Sequence, residues 1–274
     1  MVSDVAVVFD GAGVLYAPSR IMKDMDRGIA KRTRVSGLTI TDRFESGALV
    51  ILKTQYVETM EKEAATKMLA DLMREKEIEI KVVYKTKGIS DSEVVETILG
   101  DERVKLGDIH ETMSFLRRCD ILPVIGVGLI VDMTAGAIRY VIAGGIKFFS
   151  GTRELLRTLS QKGIAIYIAS GDRIEGEEMA IYLPEVPPAN IFGMLKPGDK
   201  CKLVMKLKRN HKVMMVGDDR NDYLALCEAD IAVLSLQEEA DRQGKIFEIV
   251  DFRIKEIGEI RGILEELEGK VCKT

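Results

Sequence analysis

Four short stretches of this chain combine residue types that together can move a phosphoryl group. Asp10 follows the apolar run Val5–Phe9, and Ser170-Gly171-Asp172 follows "IAIYIA" (164–169). "GDDRND" (217–222) follows "KVMMV" (212–216), and Pro197-Gly198-Asp199-Lys200 stands just ahead of a helical pattern. In-line phosphoryl transfer needs a nucleophile, a hard cation on the phosphate oxygens and fixed donors on the oxygens that remain. Asp10 is the candidate nucleophile, forming an aspartyl-phosphate. Asp218, one oxygen of Asp10 and the backbone carbonyl of Ala12 offer oxygen ligands suited to Mg²⁺. Asp222, one helical turn past Asp218, is placed to orient the waters of that metal from behind. The Ser170 hydroxyl and the Gly171 amide are candidate donors to the phosphoryl group. Lys200 can balance the negative charge of the phosphate and Asp10. Lys196 competes for that role, but only Lys200 has the Pro-x-x-Lys spacing at a helix start. Asp172 and Asp219 read as loop carboxylates rather than ligands.

These groups need a scaffold that brings strand ends together. The runs 5–9, 164–169 and 212–216 are uniformly apolar and end in polar loops, as strands of a parallel sheet do when both faces are buried. Between them, "TRELLRTLSQKG" (152–163) sets Leu155, Leu156 and Leu159 on one helical face and closes at Gly163. "DKCKLVMKLKRN" (199–210) does the same with Leu203, Val204 and Leu207. The alternation predicts an α/β fold: a doubly wound, Rossmann-like parallel sheet whose functional groups gather beyond the carboxyl ends of the strands. "FEIVDF" (247–252) and the pattern 255–269 are the expected last strand and helix.

Residues 20–145 have another texture. They hold "GALVILK" (47–53), a helix expected over 56–76 with Val57, Met60, Ala64, Met68 and Leu72 in register, and "IEIKVVYK" (78–85). A helix near 108–118 and strands near 124–131 and 137–143 complete an α/β module. The expected organisation is therefore a catalytic core of 1–19 and 146–274, with 20–145 inserted as a cap that selects substrate. The methionines of 56–76 read as core filling.

Composition narrows the rest. The chain has 274 residues, a net charge of −4 and 31% charged residues, which gives no support for nucleic-acid binding. Cys119, Cys201, Cys227 and Cys272 form no CxxC pair, and only His110 and His211 are present, so neither a disulfide frame nor a zinc site is expected. The apolar run 121–131 is about half of the roughly 20 residues a membrane helix needs, and Pro123 interrupts it. No basic-then-apolar leader opens the chain. The expectation is a cytoplasmic protein without membrane contact, acting on a small phosphorylated substrate, with ATP a candidate. The sequence carries no signature of an oligomeric state.

"VVFDGAGVLY", "IAIYIASGD", "KPGDK" and "MMVGDDRND", in that order, resemble the motifs of the haloacid dehalogenase superfamily over roughly residues 1–18 and 145–274. Within it, "LLRTLSQKGIAIYIASGD" and "MVGDDRNDYLALCEADIAV" are similar to the phosphorylation domain of P-type ATPases, with Ser170 where Thr usually stands. The whole chain looks most like the small soluble P-type-ATPase-like proteins of archaea. The resemblance implies a Mg²⁺-dependent phosphohydrolase. The pump signature DKTGT is absent.

Position 12 departs from typical phosphatases of that superfamily, which carry there an Asp that protonates the leaving group. General acid–base catalysis of this kind is worth about 10²–10⁴-fold. Ala12 therefore points to good leaving groups, such as ADP or an aryl alcohol. Phosphonatases share Ala at this position and use a cap lysine as a Schiff base; Lys23 and Lys31 are the lysines in view here. A third reading is a regulatory protein that binds phosphoryl ligands without turnover, against which stands the joint presence of Asp10, Ser170, Lys200, Asp218 and Asp222. "LIVDMTAGAIRY" (129–140) echoes the first motif, but with no companions Asp132 reads as a strand-end turn. The run Arg20–Arg34, six basic residues against two Asp, reads either as an attractor of anionic substrate or as a solvated surface.

Overall fold

The computed structural model describes residues 5–271 except 34, 173, 240, 241 and 243. Arg34 and Cys272 thus lie outside the described residues. Its strands are β1 (Val5–Phe9), β2 (Tyr16–Asp24), β3 (Ile29–Thr33), β4 (Gly47–Leu52), β5 (Ile80–Lys85), β6 (Leu122–Asp132), β7 (Ala137–Phe148), β8 (Ala165–Ala169), β9 (Ile191–Phe192), β10 (Lys212–Gly217), β11 (Ile231–Ser235) and β12 (Phe252–Ile254). They form two six-stranded sheets in two compact units, residues 1–17 with 148–274 and residues 18–147.

The first unit is an α/β fold around a parallel sheet of order β12-β11-β10-β1-β8-β9. β1 lies at the centre because Val5–Phe9 is apolar on both faces, and Ala6 through Phe9 are fully buried. Val8, Val213, Met215, Ala232 and Leu234 face the helices Pro197–Leu207 and Tyr223–Glu228 on one side. The helix Thr152–Gln161 buries Leu155, Leu156 and Leu159 and packs against β8. Gly163 follows it with φ +71°, a left-handed stop that glycine adopts without strain. The chain turns outward from β1 to β8 on one side and to β10 on the other. Their carboxyl ends therefore open a crevice at the switch in strand order.

The second unit carries an antiparallel sheet, β3-β2-β7-β6-β4-β5. One face (Ala48, Val50, Leu52, Leu129, Val131, Val141) packs on helices through Leu69, Leu72, Val94, Ile98, Leu106 and Leu116. The other face presents Met22, Ile130 and Ile142, which form a smaller cluster with Ile40 of the helix Gly37–Thr41.

Two expected elements differ. The helix over 56–76 is broken into Tyr56–Thr59 and Leu69–Glu75. The intervening backbone bonds sideways instead: the N–H groups of Leu106 and Gly107 donate to the carbonyls of Lys67 and Ala65. Met60 and Leu72 are buried, but Val57 and Ala64 face solvent, so the apparent register was two separate faces. "FEIVDF" is not a strand either. Gly244–Glu248 is a 3₁₀ turn, and the strand is Phe252–Ile254, because Asp251 caps the Ala232 N–H and starts the pairing late. The helix Asp91–Leu99, absent from the sequence reading, opens with a capping box of Ser90 and Glu93. No helix among the described residues is long and apolar enough to cross a membrane.

Candidate active site

Asp10, Ser170 and Asp218 stand directly beyond β1, β8 and β10, three neighbouring parallel strands. Asp10 is 2% exposed, and one carboxylate oxygen accepts from the Gly11 N–H at 2.7 Å. Lys200 comes from the first turns of the helix Pro197–Leu207 and is 1% exposed. Its ammonium lies 2.7 Å from Asp10 Oδ1 and 2.7 Å from Asp222 Oδ1. Lys196 is exposed at the helix N-cap. The second oxygen of Asp222 accepts from the Asp218 N–H at 3.0 Å, which ties the loop after β10 to the buried lysine.

Carboxylate oxygens of Asp10, Asp218 and Asp222 lie within 4.8 Å of one another. This crowding has a measurable electrostatic signature. Burial pushes the Asp10 carboxyl well above its ordinary range, and the negative charges of Asp222 and Asp218 push the same way, while Lys200 opposes them. Asp218 rises to about 7, chiefly through burial and then through Asp222 and Asp219. Burial would lower Lys200, but Asp222 and Asp10 outweigh it and hold the ammonium charged. Three carboxylates against one buried lysine leave surplus negative charge on hard oxygen donors. That donor set fits Mg²⁺.

The loop between β1 and β2 is shaped by what it must clear. Gly13 has φ +74°, and a side chain there would drive a Cβ to 2.0 Å from Asp218 Oδ2. Ala12, half-buried, is thus held between two glycines that let the turn pass close to the acids. The N–H groups of Leu15 and Tyr16 donate to the Gly11 carbonyl, and Ser235 Oγ donates to the Gly13 carbonyl at 2.8 Å. Gln237 holds the Val14 carbonyl and Thr152 the Leu15 carbonyl.

Ser170 is fully buried, and Gly171 beside it is exposed. Ser170 Oγ accepts from the Asp172 N–H at 3.1 Å and lies 3.0 Å from the hydroxyl of Tyr16. Tyr16 was not singled out in the sequence, although it closes the first motif. Its hydroxyl also reaches Asp172 at 3.3 Å, and burial together with the Asp172 charge raises the phenol well above its ordinary pKa. Arg242, Ser235 and Gln237 were missed as well. Arg242 Nε donates to the Asp218 carbonyl at 2.6 Å.

Other candidates fall elsewhere. Asp219 is not one of the three clustered acids; it accepts from the Arg220 N–H and lines a cavity of about 680 Å³ with Arg220, Tyr223 and Lys245. Asp132 ends β6, where its oxygens accept from the Ala135 N–H and from Arg139 Nε. In the run that begins at Arg20, Lys23 pairs with Asp108 and Glu111, and Arg32 donates to Ser19. Lys31 is exposed on β3.

Residues 5–230 match the haloacid dehalogenase-like hydrolase family, and the chain belongs to that family of hydrolases. It is 31% identical to a soluble P-type ATPase-like phosphatase of Methanocaldococcus jannaschii, over 96% of this chain and 94% of the relative. It is 26% identical to a copper-transporting ATPase of Helicobacter felis over 58% of this chain, which is 21% of that protein. Among solved structures, the catalytic domain of the CPx-ATPase CopB-B aligns over 94% of this chain and 87% of that one, at 15% identity and a TM-score of 0.44.

Proposed function

We propose that this hydrolase is a Mg²⁺-dependent phosphohydrolase that works through an aspartyl-phosphate on Asp10. The observation that carries the reading is Lys200, buried and bonded at 2.7 Å to both Asp10 and Asp222, with Asp218 beside them. Lys200 holds Asp10 in place and opposes the rise in its pKa, which favours the ionised carboxylate that attacks phosphorus. Asp10, Asp218 and the Ala12 carbonyl would hold the metal, with Asp222 positioned behind them, and the metal would neutralise charge on the phosphate oxygens. Ser170 and Gly171 donate to the transferring group as charge builds on it. A water then attacks the aspartyl-phosphate.

Ala12 supplies no proton to a departing alkoxide, so the preferred substrates are ATP or another small phosphate with a good leaving group. The likeness to a soluble P-type ATPase-like phosphatase along nearly its whole length supports this choice. We assign substrate selection to the second unit. A phosphonatase reading would need a neutral lysine there. Burial lowers the Lys23 pKa, but hydrogen bonds to Asp108 and Glu111 outweigh it and raise the pKa overall, which disfavours the free amine.

The test is incubation with labelled ATP and Mg²⁺. Acid-stable label on the wild type that Asp10→Asn abolishes is the expected result. Absence of both label and phosphate release, from ATP and from p-nitrophenyl phosphate, would leave a non-catalytic phosphoryl-binding protein. Metal binding has its own readout: saturating Mg²⁺ should raise the melting temperature by about 5 °C, and Asp218→Asn should blunt that rise.

A further inference from the structure

We propose that Tyr16 is a positioning residue that sets the polarity of the Ser170 hydroxyl, so that the single proton of Ser170 is aimed at the phosphoryl group. The inference rests on the phosphohydrolase reading and adds a residue that the four motifs leave without a role. Tyr16 is fully buried, with its ring edge-on to Phe148, and its hydroxyl lies between Ser170 Oγ at 3.0 Å and Asp172 Oδ2 at 3.3 Å. It reaches that point only because residue 11 is glycine. A Cβ on Gly11 would lie 2.2 Å from the phenolic oxygen and 2.7 Å from Ser170 Oγ.

A phenol has one proton, and two acceptors compete for it here. When Tyr16 donates to Asp172, Ser170 is free to donate to the phenolic oxygen, and its proton is then turned away from substrate. When Tyr16 donates to Ser170 Oγ, that oxygen accepts from two sides, from the phenol and from the Asp172 N–H at 3.1 Å. The Ser170 proton is then left for an outside acceptor. An anionic phosphoryl oxygen is a stronger acceptor than a neutral phenol, and Asp172, only half-buried, can replace the phenolic donor with water, so substrate draws the set into the second arrangement. No covalent step is involved. The phenolic proton moves its hydrogen bond from Asp172 to Ser170, and the Ser170 proton moves its own from Tyr16 to the phosphoryl group.

The experiment is a double-mutant cycle on the full chain, with hydrolysis of p-nitrophenyl phosphate in Mg²⁺ as the readout. Tyr16→Phe keeps the ring against Phe148, and a melting temperature close to wild type reports that the fold is intact. In the wild-type background Tyr16→Phe should lower kcat/KM by about three- to tenfold, the size of one hydrogen bond. In the Ser170→Ala background the same change should cost less than about twofold, because the group Tyr16 acts through is gone. An equal loss in both backgrounds, or no loss in the first, overturns the inference while wild-type turnover keeps the phosphohydrolase reading intact. A wild type that releases no phosphate and takes no label from ATP removes that reading and the role of Tyr16 with it.

Discussion

Two aspartates stand at strand ends in this protein, each followed closely by an alanine–glycine pair, and they meet opposite fates. Asp10 leaves β1 of a parallel sheet and meets Lys200, Asp218 and Asp222, all far along the chain. Asp132 ends β6 of an antiparallel sheet and is met by Ala135 and Arg139, three and seven residues later. The difference follows from strand direction. A hairpin returns the chain at once, so local partners satisfy the carboxylate. A parallel strand sends the chain away, here from β1 into the second unit and back through the helix Thr152–Gln161 to β8, and the neighbouring strand ends bring residues from elsewhere. The first arrangement makes a turn. The second makes a crowded, charged crevice suited to chemistry.

The sharpest test of that contrast is the same substitution at both places. Asp10→Asn should reduce phosphate release by about three orders of magnitude or more, as loss of a nucleophile does. Asp132→Asn should leave kcat unchanged; a comparable loss there would break the comparison. Next in size is Lys200→Met. Removing the cation strands two buried carboxylates, and we expect a stability loss of about 3–5 kcal/mol by urea denaturation. Smaller again is Ala12→Asp, which should raise turnover of alkyl phosphates about tenfold, a fraction of the full value of general acid catalysis. Unchanged rates on alkyl phosphates would mean that the leaving-group account of Ala12 is wrong. Of similar size is Asp132→Ala, expected to cost about 1–2 kcal/mol in stability through its two lost hydrogen bonds. Its activity per folded molecule should match the wild type.

Much of the first unit was legible because its signals are local. The runs 5–9 and 212–216 are apolar without interruption, and each is followed by its acid. Gly163 and Pro197 mark a helix stop and a helix start. The second unit was harder to read. Over 56–76 the apolar spacing imitates one helix, yet the carbonyls of Ala65 and Lys67 take N–H groups from residues 106 and 107, a pairing invisible along the sequence. The strands β2 and β3 were hidden within a charged stretch, where pairing of Arg20–Asp24 with Ile29–Thr33 outweighs weak local preference. Tyr16 was overlooked for a similar reason. An aromatic after a glycine-rich turn reads as core, and only the fold shows its hydroxyl against Ser170.

By itself the sequence determined the class of sheet, the order of its four loops and the residue types each loop would present, since apolar runs, caps and turn residues act over a few neighbours. The tertiary structure decided which of those residues meet. It brought Lys200, which the Pro-x-x-Lys spacing had favoured, to 2.7 Å from both Asp10 and Asp222, and it placed Tyr16 on Ser170. Distances between groups far apart in the chain depend on strand order and on how closely a loop can pass. Gly13, with no side chain to strike Asp218, is where those two controls coincide.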